Sequence, residues 1–531
     1  MIWNIAIKDF HNNLRTARFV IGFLLCLFLI PFTIFVSIND YKSQVSAYEI
    51  ERKNAEKSLK VRVYSNLRPV LVKPPTPLSI FSRGISYNVG NKVKTWLGTK
   101  PLFAEGNVST RENPFMNAFF SIDFITIMAL IMSLLALLFT YDICSGEREQ
   151  GTLRMIFSNS INRWKVLAGK TIGVLLTLFP TILFSFLLSI LIILLHPALF
   201  FSSTEWISVL VLFVLCIVFF GFFISLGLLI SSRVRSSSTS IIICLFFWVT
   251  MVYLIPNLTN VSASSLVKTE SRDNLEDQLD EFNREFLNKV DDYTKSHPKP
   301  IGGFWGFQDG GRDGYQEFAG ASGETHEYYR TMHQYTEPLR IELANNKWVY
   351  QKAFLDKLDR QRKLAEKLSF LSPSEIFRLT ASALSGTDAA AQYYFLNQCR
   401  LYREDLIRYF QDKNIFASYS YFTNVPPEKF MTIDEIVEYV TEGRFKTLME
   451  LGMALQQPNT SIMQFYKRSA PHWDREYYPY LDLSSAPKFN YIVYTLSKGI
   501  VNSFSKIAFL IIVSALMFFL AYVSFIKYDV R

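Results

Sequence analysis

The chain has 531 residues, of which 50% are hydrophobic and 15% aromatic, with 47 phenylalanines and a mean hydropathy of +0.17. It is too apolar for a soluble protein with 19% charged residues and too charged for one lying wholly in a bilayer, so spans must alternate with soluble parts. The net charge of +9 follows membrane topology and does not argue for nucleic acid. Of five cysteines only Cys399 falls in the large soluble part, which excludes an intramolecular disulfide framework there.

The chain opens with a basic amphipathic segment, MIWNIAIKDFHNNLRTAR, over residues 1–18. The first apolar run is long and no small-residue cleavage site follows it, so it reads as a span rather than a cleaved signal. Six runs approach the roughly 20 residues a bilayer needs: 19–38, 118–141, 171–195, 206–230, 240–256 and 507–526. The fifth is the shortest, and Pro256 is expected to end it. With the N-terminus in the cytoplasm, the short basic flanks (Lys8, Arg15, Arg18, Arg148, Arg154, Arg163, Lys165, Lys170, Arg233, Arg235, Lys527, Arg531) all fall inside. Both termini, including the tail 527–531, are then cytoplasmic, and the loop 196–205, without Lys or Arg, lies outside.

That orientation puts two soluble pieces outside. Residues 39–117 carry 13 Lys+Arg against 6 Asp+Glu, an excess that a long loop tolerates. Alternation in KVRVYSNLRPVLVKPPTPLSIF suggests strands in this piece. Residues 257–506 form a larger, mostly helical piece, long enough for its own core. Leu275, Leu279, Phe282, Phe286, Val290 and Tyr293 mark one face of a helix over 266–294. A glycine-rich loop follows, then a helix from 326 to 370 expected to break at Pro338. Phe395, Cys399, Tyr402, Leu406 and Phe410 predict another helix over 388–411, with Asp388 as N-cap.

Catalytic signatures are missing. No G-x-x-x-x-G-K-[ST] occurs, His326-Glu327 lacks the second histidine of a zincin (Arg330 stands there), and no G-x-S-x-G is found. A metal site from His297, His326 and His333 is conceivable but unsupported by spacing. Asn107, Asn257, Asn260 and Asn459 begin N-x-[ST] triplets, which arise easily by chance. Asp123, near one end of the second span, is a candidate translocation-path acid by its cost in lipid, with interfacial hydrogen bonding as the plainer role.

The segment 142–170 between the second and third spans is the most specific. Glu147, Arg148 and Glu149 would occupy the first turn of a helix, where its dipole favours acids. Leu153, Ile156 and Phe157 form a short apolar face, and Arg163, Lys165 and Lys170 lie at the level of the lipid phosphates. Physics alone makes this an interfacial helix. Its wording (Glu147, Arg148, Glu149, Gly151, Thr152, Leu153, Ser158, Arg163, Gly169, Lys170) resembles the signature of ABC-2 type transporter permeases, except that Ser160 stands where the family often has proline.

The resemblance implies a predominantly α-helical membrane protein with six spans, an elbow helix at 1–18 and a large extracytoplasmic domain between spans five and six; SPSEIFRLTASALSGTDAAAQYYFLNQCRLYREDLIRYF is similar to such a domain. It implies that residues 147–158, with Arg154, Ile156 and Phe157 alongside the signature positions, form a coupling helix seated on a cytoplasmic ATPase. The chain would be a non-catalytic permease subunit, most often an exporter, in the bacterial inner membrane. It would pair with a second permease copy or a sister permease and with two ABC ATPase subunits, which would carry the ATP and Mg2+. The competing readings are a receptor or anchor working through its outer domain, and a membrane-bound hydrolase.

Overall fold

The computed structural model describes residues 2–86, 88–105, 123–158, 162–197, 199–269, 271–300, 306–309, 315–318, 322–423, 425–458, 460–461, 464–465, 467 and 480–527. Helices dominate. Five are long and apolar enough to cross a membrane: α2 (Ala17–Ser58), α6 (Arg163–Leu194), α7 (Ser203–Arg233), α8 (Ser237–Leu266) and α15 (Ser497–Ile526, within a helix that starts at Leu496). The expected second span is described only from Phe124 to Leu138 (α3), 15 residues that alone fall short of the roughly 20 required; its start at 118–122 lies outside the described residues.

A helix α1 (Ile2–Leu14) precedes these spans, and Thr16 caps the start of α2 by accepting the Phe19 N–H. The α2 helix does not stop where its apolar run ends near residue 38. It continues to Ser58, 42 residues and so about 63 Å in all, because 39–58 contains no glycine or proline.

The core of the bundle is built around α7. Gly227 meets Thr140 beside α3, where a Cβ would come within 1.9 Å of the threonine hydroxyl, and only glycine permits that approach. Many side chains on α8 and α15, such as Ile242, Phe246, Val501 and Phe504, are exposed, a pattern suited to lipid rather than water.

Pro256 does not end the fifth span. Residues Thr250–Leu254 form a π-helical turn, Pro256 sits in the first turn of the helix that follows, and α8 runs on to Leu266. The Met251 carbonyl in that turn accepts the hydroxyls of Ser372 and Ser374. Those serines open α11 (Pro373–Leu384), which lies against α7 and α15 with Phe377 stacked on Phe219 at 4.3 Å between ring centres. The stretch expected to belong to the soluble domain thus returns to the bundle.

The helix α9 (Arg272–Ser296) starts at the Ser271 cap and pairs antiparallel with α10 (Gly323–Leu368): Phe282 meets Tyr350, and Tyr293 stacks on Tyr335. Pro338 lies inside α10 without breaking it, a local cost borne by 46 continuous residues and the contact with α9. The helix α12 (Ala389–Asp412) forms as its spacing predicts: Asp388 accepts the Ala391 N–H at 3.0 Å, and all five predicted face residues are buried.

Strands do occur in the first soluble piece. Val70–Val72 (β1) pairs antiparallel with Lys92–Lys94 (β2), with Leu71 opposite Val93. This hairpin shares a core with α12, where Leu71 and Val93 pack with Phe395, Leu396, Cys399 and Tyr402. Arg403, fully buried, donates to the carbonyls of Trp96 and Leu97. The two soluble pieces therefore share a core, while Val437, Leu451 and Phe465 form a separate small cluster within the second piece alone. A second hairpin joins β3 (Gly306–Asp309) to β4 (Tyr315–Phe318).

Candidate functional site

The segment 142–170 is two helices rather than one. Ser145–Glu149 (α4) ends at Gln150, and Thr152–Ser158 (α5) starts afresh. Gly151 between them adopts φ +75°, a left-handed conformation that closes one helix and turns the chain into the next. The acids Glu147 and Glu149 therefore belong to α4, and Thr152 and Leu153 begin α5. The Thr152 hydroxyl donates back to the Glu147 carbonyl at 3.2 Å, which holds the corner.

Every charged side chain of α4 is anchored. The Arg148 guanidinium donates to the carbonyls of Val234 at 2.9 Å and Ser232 at 3.0 Å, the last turn of α7 and the connection to α8. It thereby satisfies carbonyls that a helix end leaves without partners. Glu149 accepts the Ser237 N–H at 3.2 Å, at the start of α8. The Ser231 hydroxyl accepts the Cys144 and Ser145 N–H groups, so α4 is bonded to α7 at its other end too.

Glu147 points the other way, toward α6. Its carboxylate lies 2.7 Å from the ammonium of Lys170, which also reaches Asp9 of α1 at 3.7 Å and donates to the Ile143 carbonyl at 3.1 Å. Lys8 adds a longer contact to Glu147 at 3.9 Å. Lys170 is only 2% exposed, so it is no phosphate-level surface lysine. It is the centre of a buried ion cluster that joins α1, α4 and α6. Burial pushes the Asp9 carboxyl above its ordinary value; Lys170 pulls it back, Glu147 raises it further, and Lys8 lowers it. Gly169 and Gly173 let α1 lie directly on α6, since a Cβ at either would come within 3 Å of Ile5 or Asp9.

The α5 helix is held by its apolar side. Leu153 is buried, and Ile156 and Phe157 pack against the bundle core, Phe157 with Phe525 of α15 at 5.8 Å between ring centres. Arg163 lies over the Phe157 ring and donates to the Ile526 carbonyl. The opposite side faces outward: Met155 is 72% exposed, and Glu149, Gln150 and Ser158 are exposed with it. The segment thus presents a small outward-facing surface on a base bonded to α1, α6, α7, α8 and α15. The family model described as ABC-2 family transporter protein matches residues 3–530.

The chain belongs to the ABC-2 transporter family. It is thus a multi-pass membrane component of an ABC transporter, a transport part rather than a catalyst, and membership implies pairing with an ABC ATPase. Among curated proteins, none matches the chain.

In this ABC-2 permease Asp123 caps α3. It accepts the Thr126 N–H at 2.8 Å, the Thr126 hydroxyl at 2.6 Å and the Arg83 N–H at 3.0 Å. The three histidines lie apart in role. His297 stacks on Tyr293, His326 is buried against Phe430 with its ring beside the Ser322 carbonyl, and His333 lies near Glu337. Among the described residues no group of three potential ligands gathers. Asn257 donates to the Tyr253 carbonyl within α8; Asn107 and Asn459 lie outside the described residues. Sequence reasoning missed Asp9 and Ser231 altogether. A glycine pair one turn apart facing an amphipathic N-terminal helix was the available hint for the first.

Proposed function

We propose that this permease receives the stroke of a separate ABC ATPase through α4 and α5, residues 147–158. The observation that carries the reading is the anchoring of that segment: one exposed face, with Arg148, Glu147 and Glu149 bonded to different long helices. A push on Met155 and its neighbours would reach α6, α7 and α8 through these bonds from Glu147, Arg148 and Glu149. Two permease halves biased in this way alternate between inward- and outward-facing arrangements.

The proposal includes six spans, with 118–141 completing α3, both termini and the 142–170 segment in the cytoplasm, and the α9–α12 region outside. The short basic flanks support that orientation. Two permease chains would pair, copies or sisters, with two ATPase subunits carrying ATP and Mg2+, and export is the direction we favour. Asp123 enters as a group at the outer end of the path. Among the described residues its carboxylate is engaged as a cap, so it would act by holding α3 to the Arg83 loop.

The test is reconstitution of the full chain with the ATPase that co-purifies with it. Charge reversal at Glu147 together with Glu149 should leave ATP binding intact and cut permease-stimulated hydrolysis at least tenfold. Unchanged stimulation would sink the coupling role.

A further inference from the structure

Beside the outer extension of α2 lies a small cavity of about 60 Å3, with Ser43, Gln44, Lys73, Arg83, Ser86 and Gln392 among its walls. A water needs roughly 10–15 Å3 measured this way, so the space holds several waters or one small oxyanion. Two of its walls are cations that have almost left solvent: Lys73 is 6% exposed and Arg83 7%.

The two cations are not equally compensated. Arg83 is paired with Asp40 of α2. Lys73 has three N–H donors, and among the described residues its one acceptor is the Gln392 side-chain oxygen, at the 3.5 Å limit. Gln392 is fixed in that orientation because its amide N–H donates to the Gly90 carbonyl at 2.8 Å. Among the described residues no carboxylate lies within ion-pair distance of Lys73; Asp388 acts on it only at longer range. Among the described residues the buried Ser86 hydroxyl on the same cavity has no hydrogen-bond partner.

A buried, uncompensated ammonium beside an idle hydroxyl is costly and is ordinarily resolved by a bound anion or by loss of the proton. Burial does lower the Lys73 ammonium to about 8, so at neutral pH it still carries most of its charge. The walls are held in place independently of any ligand. Gly84, at φ +52°, lies against the Thr387 carbonyl, and the Ile85 N–H donates to that carbonyl at 3.0 Å. A Cβ at Gly90 would collide with the Glu105 backbone.

We propose that this cavity is a binding site for a phosphate-class oxyanion, with Lys73 as the charge partner and Ser86 and Gln44 as neutral donors. Ser43 lies five residues past Ile38, the end of the apolar run of α2, about 8 Å along the helix. That is close to the depth of a lipid headgroup layer, about 5–7 Å per leaflet. A phospholipid headgroup and free phosphate share the required chemistry and differ in whether a membrane supplies them. The inference does not depend on the coupling role of 147–158.

The test uses the full chain in nonionic detergent and phosphate-free buffer. Its melting temperature is followed against inorganic phosphate, with chloride at equal ionic strength as control, and separately against phosphatidylglycerol in the micelles. The site predicts a saturable rise with at least one ligand: with inorganic phosphate if the free anion is bound, and with phosphatidylglycerol alone if the headgroup is. Lys73→Met should abolish the rise while leaving the unliganded protein folded, and Ser86→Ala should weaken the response about tenfold. Should Lys73→Met fail to accumulate, Ser86→Ala and Gln392→Leu carry the comparison. No rise with either ligand, or equal rises in wild type and variants, overturns the site.

Discussion

Lys170→Met is the most informative single change, because Lys170 lies on three elements' contacts at once. Its ammonium is 2.7 Å from Glu147 and 3.7 Å from Asp9 and only 2% exposed. At an effective dielectric of about 20 these two pairs are worth roughly 6 and 4 kcal/mol of gross attraction. Removing three ions from water costs several kcal/mol apiece, so the intact cluster is close to neutral against an apolar replacement. Breaking it is different: methionine leaves two half-buried carboxylates facing each other with one distant lysine. We expect a loss of about 3–5 kcal/mol, read by equilibrium unfolding of the full chain in mixed micelles. The triple variant Asp9→Asn, Glu147→Gln, Lys170→Met should regain most of it. The sign with pH also follows. Without Lys170 the folded-state Asp9 carboxyl, already raised, rises further above its unfolded value, so the folded form holds a proton the unfolded form has released, and the penalty grows as pH rises. A Lys170→Met loss below about 1 kcal/mol, or a triple variant as unstable as the single one, would refute the cluster.

Other expectations follow from named contacts. Gly151→Ala places a Cβ in open space at φ +75°, so it should cost only the conformational strain, about 1–2 kcal/mol by unfolding, with no clash to relieve. Arg148→Lys loses the two-carbonyl grip on the α7–α8 connection; about 2–3 kcal/mol is expected, seen as faster proteolysis near residues 232–236. Lys73, folded near 8 against about 10.5 unfolded, makes the unfolded chain hold more protons between those values, so stability should rise from pH 8 to 10.5. In phosphate-free detergent Lys73→Met should remove up to about 3 kcal/mol of that rise when its pH profile is subtracted from wild type.

Much of this architecture was legible where the signal is local. Asp388 and the five apolar positions of α12 specify a cap and a face within one helix, and the structure has both. Two prolines do not break the helices that contain them. Pro256 is accommodated by the π turn before it, and the open Met251 carbonyl finds Ser372 and Ser374, over a hundred residues on. Pro338 is outweighed by the packing of α10 on α9. Gly151 was read as part of a signature, yet its positive φ divides that signature into two helices. Lys170 looked like a membrane-surface lysine because its partner Asp9 lies far away in the chain, and no local pattern marks that pairing. The same holds for Arg403, whose carbonyl acceptors at 96 and 97 join the two soluble pieces. Long-range polar contacts decide how the candidate site is held, and they are what periodicity cannot supply.

The central claim is that the exposed side of α5 receives an ATPase. Met155 tests it well, since it is 72% exposed while its neighbours Leu153 and Ile156 pack into the bundle. The measurement is co-purification of ATPase with tagged full-length chain carrying Met155→Asp, alongside its melting temperature. The account predicts an unchanged melting temperature, with the bound ATPase and its stimulated hydrolysis reduced tenfold or more. Full retention of a stimulated ATPase by Met155→Asp would contradict it.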